Sequence, residues 1–136
     1  MSDSDGYSAT PLPRKLGIKP GARVRLSGAP DGFTLGELPD GVQFRSSGQL
    51  DLMLAFFDSR SELQKRLAGM RSSLDPAGAL WIAWPKRASG VSTDLTENLV
   101  RELGLAAGLV DNKVCAIDAV WSGLRFVYRL ADRPGR

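Results

Sequence analysis

The stretch that decides the fold is "LDLMLAFFDSRSELQKRLAGMRSSLDPAGALWIAWP", residues 50–85. Its opening, Leu50 to Asp58, is nearly continuous apolar, the pattern of a central strand covered on both faces. "SRSE", residues 59–62, then has capping-box spacing. The Ser59 hydroxyl is placed to accept from the amide of Glu62, and the Glu62 carboxylate to reach back to Ser59. Leu63, Leu67, Met70 and Leu74 recur at helical spacing, which predicts a helix over 60–73. "DPAG", 75–78, predicts a turn, and "ALWIAW", 79–84, a second buried strand. Strand, helix, strand at this spacing implies two parallel strands joined by a right-handed crossover. That unit belongs to a layered α/β domain.

The flanks extend the same sheet. Residues 11–19 have room for one helical turn, and "PG" at 20–21 is a turn. "ARVRLSGAP", 22–30, alternates Val24 and Leu26 with Arg23 and Arg25 and reads as a strand. "DGFTLGELPDG" holds too many glycines and prolines for a long helix, and "VQFRS", 42–46, is a short strand. After residue 85, Asp94 and Glu97 mark a helix start, Leu95, Leu99 and Leu103 form its stripe, and Gly104 or Gly108 ends it. "LVDNKVCAID" and "SGLRFVYRL" read as an antiparallel hairpin with about three residues between its strands. The expected fold is a small three-layer α/β domain with a mixed sheet and a C-terminal hairpin. It spans residues 11–131 as one domain, with a disordered tail at 1–10 and a second tail at 132–136. Tyr7 is the anchor if the first tail packs back as an arm.

Composition narrows the chemistry. A chain of 136 residues, 43% of them hydrophobic, buries about two-thirds of its unfolded surface, so folding needs no metal or disulfide. The lone cysteine, Cys115, has no partner in the chain, which fits a reducing cytoplasm. The first residues, "MSDSDGYSATPLP", are acidic and polar and do not read as a signal peptide, and no apolar run approaches the ~20 residues of a membrane span. There is no histidine, which removes Ser-His-Asp and Cys-His catalysis and nearly all zinc sites. Net charge is +3 and the pI is near 9.4, with no dense basic run interleaved with aromatics, so nucleic-acid binding is not indicated.

The order of elements carries a resemblance. Strand, helix, strand, helix and closing hairpin is similar to the C-terminal half of a Rossmann-like methyltransferase. "LDPAGALWIAWPK" resembles that superfamily's L-x-P-G-G-x-L segment through Leu74, Pro76, Gly78 and Leu80, and "LGIKPGARVRLSGAP" resembles the lead into its first strand. More closely, over about residues 6–130, the chain resembles a bacterial family called domain of unknown function 3052. The matching stretches are "GYSATPLPRKLGIKPG", "RLSGAPDGF", "WPKRASGVSTDLTE" and "LVDNKVCAIDAVWSGLRFV". The methyltransferase resemblance implies a Gly-rich loop and a long helix after the first strand, with an acid ending the second to hold a ribose. This chain instead has "SGAPDG", 27–32, with Pro30 in its middle, and Arg45 and Ser46 after the second strand. The expectation is a trimmed Rossmann-like domain with no cofactor, S-adenosylmethionine included.

In open α/β sheets ligands sit beyond the carboxyl ends of strands, which selects the candidate sites. "PKRASG", 85–90, follows a buried strand. Lys86 and Arg87 are placed to hold an anion, with Ser89, Gly90, Thr93 and Asp94 around a helix start. The bland alternative is a solvated loop with ordinary surface charges. "SGAPDGF", 27–33, offers Gly28 and Asp31; a tight turn explains these residues equally well. "DNKVC", 111–115, adds Asp111, Asn112 and Lys113, with the first two as turn formers and Cys115 a small hydrophobe. Trp84 and Trp121 are candidate partner-binding residues at the same rim, against core packing for both. No metal site is expected. The leading functional expectation is a non-enzymatic module for an anionic small molecule or a protein partner. A divergent methyltransferase-like transferase is one alternative. A nucleic-acid-binding protein is another, and it requires a basic face joining Arg23, Arg25, Lys86, Arg87, Arg125 and Arg129.

Overall fold

A computed structural model describes residues 10–133. Residues 1–9 of the first expected tail, Tyr7 among them, and 134–136 of the second lie outside the described residues. Asp132 is inside them: it closes a 3-10 turn, Leu130–Asp132, and its carboxylate approaches Arg71 at 3.8 Å. The elements in chain order are α1 (Leu12–Leu16), β1 (Arg23–Ser27), β2 (Gln43–Phe44), β3 (Leu50–Phe56), α2 (Arg60–Ser73), β4 (Leu74–Pro85), α3 (Glu97–Ala106), β5 (Leu109–Ala116) and β6 (Trp121–Tyr128). Six strands form one sheet in the order β2-β1-β3-β4-β6-β5. The first four are mutually parallel, and β6 runs antiparallel between β4 and β5.

Period-two alternation in the central strands splits the core into two layers. Met53 and Ala55 of β3 and Leu80 and Ile82 of β4 meet Leu63, Leu67 and Met70 of α2 and Val100 and Leu103 of α3. Leu52, Leu54, Trp81 and Ala83 point the other way, onto Leu16 of α1 and Leu35 of the segment 28–42. The buried Trp81 indole donates to the Leu16 carbonyl at 2.8 Å and fastens α1 to that face.

Three local expectations change. Residues 75–78 do not separate α2 from β4: α2 passes straight into β4 through the extended Leu74, and the turn shrinks to the Ala77 amide donating to the Asp75 carboxylate at 2.9 Å within the strand. Between Leu50 and Leu52 the partner on β4 skips from Leu74 to Ala79, and the slack is a bulge. Gly78 is required in it, because a Cβ there would stand 2.8 Å from the Leu50 carbonyl oxygen. The second change is the start of α3. Thr96 is its N-cap, its hydroxyl accepting from the amide of Leu99 at 3.2 Å, and the buried stripe is Val100, Leu103 and Gly104. Leu95 is buried but precedes the helix, and Gly108 lies just past its end. Third, the Ser59 hydroxyl accepts from the amide of Glu62 at 3.4 Å, while the Glu62 carboxylate turns to Lys65 instead of back to Ser59.

Candidate functional site

The sheet reverses its direction of growth at β1: the chain steps outward to β2, then returns to place β3 on the other side. The carboxyl ends of β1 and β3 therefore flank the topological switch point, where open α/β sheets bind ligands. Ser27 lies beside Ala55 in register, so Gly28 follows on one strand as Phe56 follows on the other. Gly28 has φ +70°, and a Cβ on it would stand 2.9 Å from the Phe56 carbonyl oxygen. Glycine is needed there twice over, for its left-handed backbone and for the close approach.

A small cleft of about 270 Å³ opens at this point. Its apolar wall is Phe56, with Phe33 edge-on at 5.0 Å and Trp121 edge-on at 5.1 Å between ring centroids. Its polar rim carries Asp58, Glu62 and Arg66. One guanidinium nitrogen of Arg66 donates to the Ser27 hydroxyl at 3.1 Å, and its carbon lies 5.9 Å from the Phe57 ring centre. Two carboxylates and one guanidinium thus face one aromatic-walled cleft. The arrangement suits a zwitterionic ligand with an apolar part.

The segment after β4 is built differently from the expectation. The Lys86 amide donates to the Val120 carbonyl at 2.7 Å, holding the loop against the hairpin. Arg87–Ser89 make one 3-10 turn. The Ser89 hydroxyl donates to the Lys86 carbonyl at 2.7 Å and accepts from the Val91 amide at 3.2 Å, and Gly90 closes the turn at φ +78°. Both are engaged in the loop's own structure. Thr93 is not at the start of α3: its hydroxyl donates to the Asp58 carbonyl at 2.7 Å and accepts from the Leu95 amide at 3.0 Å. Asp94 caps the wrong helix for that expectation, accepting at 2.8 Å from the amide of Arg60, the first residue of α2. This segment instead walls a second cleft, of about 510 Å³, beside Trp84 and Arg87.

The other expected site residues are not brought together. Asp31 is exposed in the loop after Gly28. Asp111, Asn112 and Lys113 are inside β5, not in a turn. Asp111 is level with Phe126 and hence with Leu80, well short of the carboxyl edge at Pro85. Each already has a partner: Asp111 takes Arg101 at 3.0 Å, Asn112 takes Arg125 at 3.2 Å, and the Lys113 ammonium donates to the Lys15 carbonyl at 2.9 Å. Trp84 is buried in the α2/α3 core, which removes it as an exposed partner anchor, whereas Trp121 lines the small cleft. Burial pushes the Cys115 thiol up, against the opposing pull of Lys15 and Lys113. The basic face is not assembled either. Arg25 shares a sheet face with Met53, under α2, while Arg125 shares one with Trp81, on the opposite side.

Sequence reading missed Phe56, Phe57, Asp58, Glu62 and Arg66. Their signal was present in "FFDS", an aromatic strand end meeting an acid, but core burial and helix capping absorbed it.

Comparison with solved structures agrees with this fold. The fold is similar to a TehB-like SAM-dependent methyltransferase from Corynebacterium glutamicum, with TM-score 0.59 and 12% identity over 91% of this chain and 90% of that one. It is similar to a SAM-dependent methyltransferase from Aquifex aeolicus, with TM-score 0.60 and 17% identity over 83% and 85%. Magnesium protoporphyrin IX methyltransferase from Synechocystis, with bound SAH, gives TM-score 0.60 and 12% identity over 81% and 75%. No family model and no curated protein matches the sequence, so the closer family resemblance gains no support there. The chain has the fold of a small Rossmann-like methyltransferase. That finding overturns the expectation of no cofactor, because two of these solved proteins are SAM-dependent methyltransferases and the third holds SAH. The expectation leaned on the missing Gly-x-Gly, the missing acid after the second strand and the short segment between them; at the first of these Gly28 packs closely on the Phe56 carbonyl.

Proposed function

We propose that this chain is a pared-down methyltransferase-like domain that holds the amino-acid end of S-adenosylmethionine in the cleft between the carboxyl ends of β1 and β3. The observation that carries the reading is the cleft itself, which opens at the switch point between Gly28 and Phe56 with Asp58, Glu62 and Arg66 on its rim. The donor set fits the amino-acid end of the ligand. Asp58 and Glu62 would face its ammonium and sulfonium charges, and Arg66 would take its carboxylate as a two-pronged donor. When bound, the group supplies an electrophilic methyl on a positively charged sulfur. The chain's own part is to orient it on the Phe56 and Trp121 rings. The ribose end fits less well: Arg45 stands where the resemblance implies an acid, and it donates to the Gln43 side chain at 2.6 Å. Binding therefore rests on the amino-acid end. The membership in the domain of unknown function 3052 family belongs to the same reading, as does a cytoplasmic setting, supported by the one free cysteine. Among the described residues no helix is long and apolar enough to cross a membrane.

Calorimetric titration with S-adenosylmethionine and its demethylated product tests the reading. Both are expected to bind the wild type, and Gly28→Val to lose at least about tenfold in affinity. A ligand at about a hundred times its dissociation constant adds roughly 2.7 kcal/mol of stability, readable as a raised Tm. A folded wild type with neither heat nor Tm shift would overturn the proposal.

A further inference from the structure

The second cleft has a chemistry of its own. Trp84, Pro85, Val91 and Leu95 form one side of it, polar groups that include Thr93, Thr96 and Glu97 form the other, and Arg87 also lines it. At about 510 Å³ it lies within the usual ~300–1,000 Å³ of small-molecule pockets. Val91 is 43% exposed, a large apolar side chain left open to solvent. Among the described residues the Arg87 guanidinium has neither an ion pair nor a hydrogen bond. The acid on the same wall, Glu97, is already held by Arg101 at 2.7 Å. One uncommitted guanidinium in a cleft with one apolar side, open to solvent at Val91, matches a ligand with one negative charge and an apolar part. The nearby Glu97 carboxylate disfavours a phosphate dianion relative to a carboxylate. The Thr93 hydroxyl, bonded to the Asp58 carbonyl at 2.7 Å, joins the wall of this cleft to the rim of the first.

We infer that the cleft beside Arg87 is the acceptor subsite, and that the acceptor is an apolar carboxylic acid anchored by that guanidinium. This rests on the methyltransferase-like reading for the word acceptor, but the binding itself does not. The anion site expected at Lys86, Arg87, Ser89 and Gly90 thus contracts to Arg87 and gains an apolar wall. Thr93 stays beside it as the fastening to Asp58.

The test is a nuclear magnetic resonance titration of the full chain with 4-phenylbutyrate and with 4-phenylbutyramide, its uncharged amide. The acid is expected to move the signals of Val91, Thr93, Thr96 and the Trp84 indole saturably, and the amide to bind at least about tenfold more weakly. Arg87→Ala is expected to remove that preference while leaving the affinity for S-adenosylmethionine unchanged. Equal binding of acid and amide would overturn the inference, as would an unchanged preference in Arg87→Ala. Arg87→Lys is a second variant that keeps the charge but loses the fork, and it is expected to fall between the two. Failure of S-adenosylmethionine to bind in the same samples would strike the functional reading alone.

Discussion

The two faces of the sheet are covered in different ways. Under α2 and α3, periodic apolar side chains from two helices meet Met53, Ala55, Leu80, Ile82 and Phe126, all at most 1% exposed. On the other face a five-residue helix and the irregular segment 28–42 do the covering, fixed by point contacts such as Trp81 to Leu16 and Phe33 to Phe56. The first face supplies continuous burial, which dominates stability. The second leaves the carboxyl edge at Gly28 open, because no long helix follows β1. The difference shows how a small chain keeps a binding edge: one full layer stabilises the sheet, and the thinned layer gives access.

The largest expected effect compares the two layers. Leu63→Ala, from the fully buried face of α2, is expected to lower stability by about 2–5 kcal/mol. Leu35→Ala, from the loop on the opposite face, is expected to lose less, since its surroundings can relax. Chemical denaturation of both variants checks this, and equal losses would break the comparison. Next is a pair of glycines on the helical face. A Cβ at Gly104 would strike the Phe126 ring, whereas one at Gly69 meets nothing within 4 Å. Gly104→Ala is expected to destabilise by about 1–3 kcal/mol. Gly69→Ala is expected to stabilise by up to about 1 kcal/mol through helix propensity. Opposite signs in thermal melts sharpen the claim that this face is close-packed.

The smallest effect lies at the amino edge of the sheet. There Arg23 donates to Asp51 at 2.7 Å and to Asp75 at 3.3 Å, in contrast to the uncommitted Arg87 at the carboxyl edge. Hydrogen bonds from Arg23 hold the Asp51 carboxyl below the usual carboxylate range. A depressed folded-state value means the stabilisation is present above the unfolded value near 3.9 and is lost as pH falls through the folded one. The stability difference between wild type and Asp51→Asn is therefore expected to be at most about 1 kcal/mol near neutrality. It should vanish in acid. A difference that grows below pH 4 would contradict the assignment.

Much of this was legible from local pattern. The helix over 60–73 follows from a serine cap and leucine spacing, and the two central strands from apolar runs bounded by polar residues. What was not legible depends on partners distant in sequence. Thr93, Asp94 and Thr96 are all competent caps, and only the fold reveals that Asp94 serves α2 across 34 residues while Thr96 serves α3. Asp75, Pro76 and Gly78 look like a turn, but a register skip against β3 stretches them into a bulge. The candidate site was half legible. The sequence marks Gly28 for its conformational freedom, but the contact that demands it, the Phe56 carbonyl, is on another strand. Asp111 to Lys113 look like a turn in the sequence, but they pair within the hairpin, and Arg101, Arg125 and the Lys15 carbonyl occupy their side chains.

The measurement that tests the account most directly is a heteronuclear NMR titration of the wild type with S-adenosylmethionine. The expected result is saturable movement of the signals of Gly28, Phe56, Phe57 and Asp58 and of the Trp121 indole, with residues 109–114 unmoved. No movement at saturating ligand, or movement confined to residues 85–97, would contradict a cofactor cleft at the β1/β3 switch point.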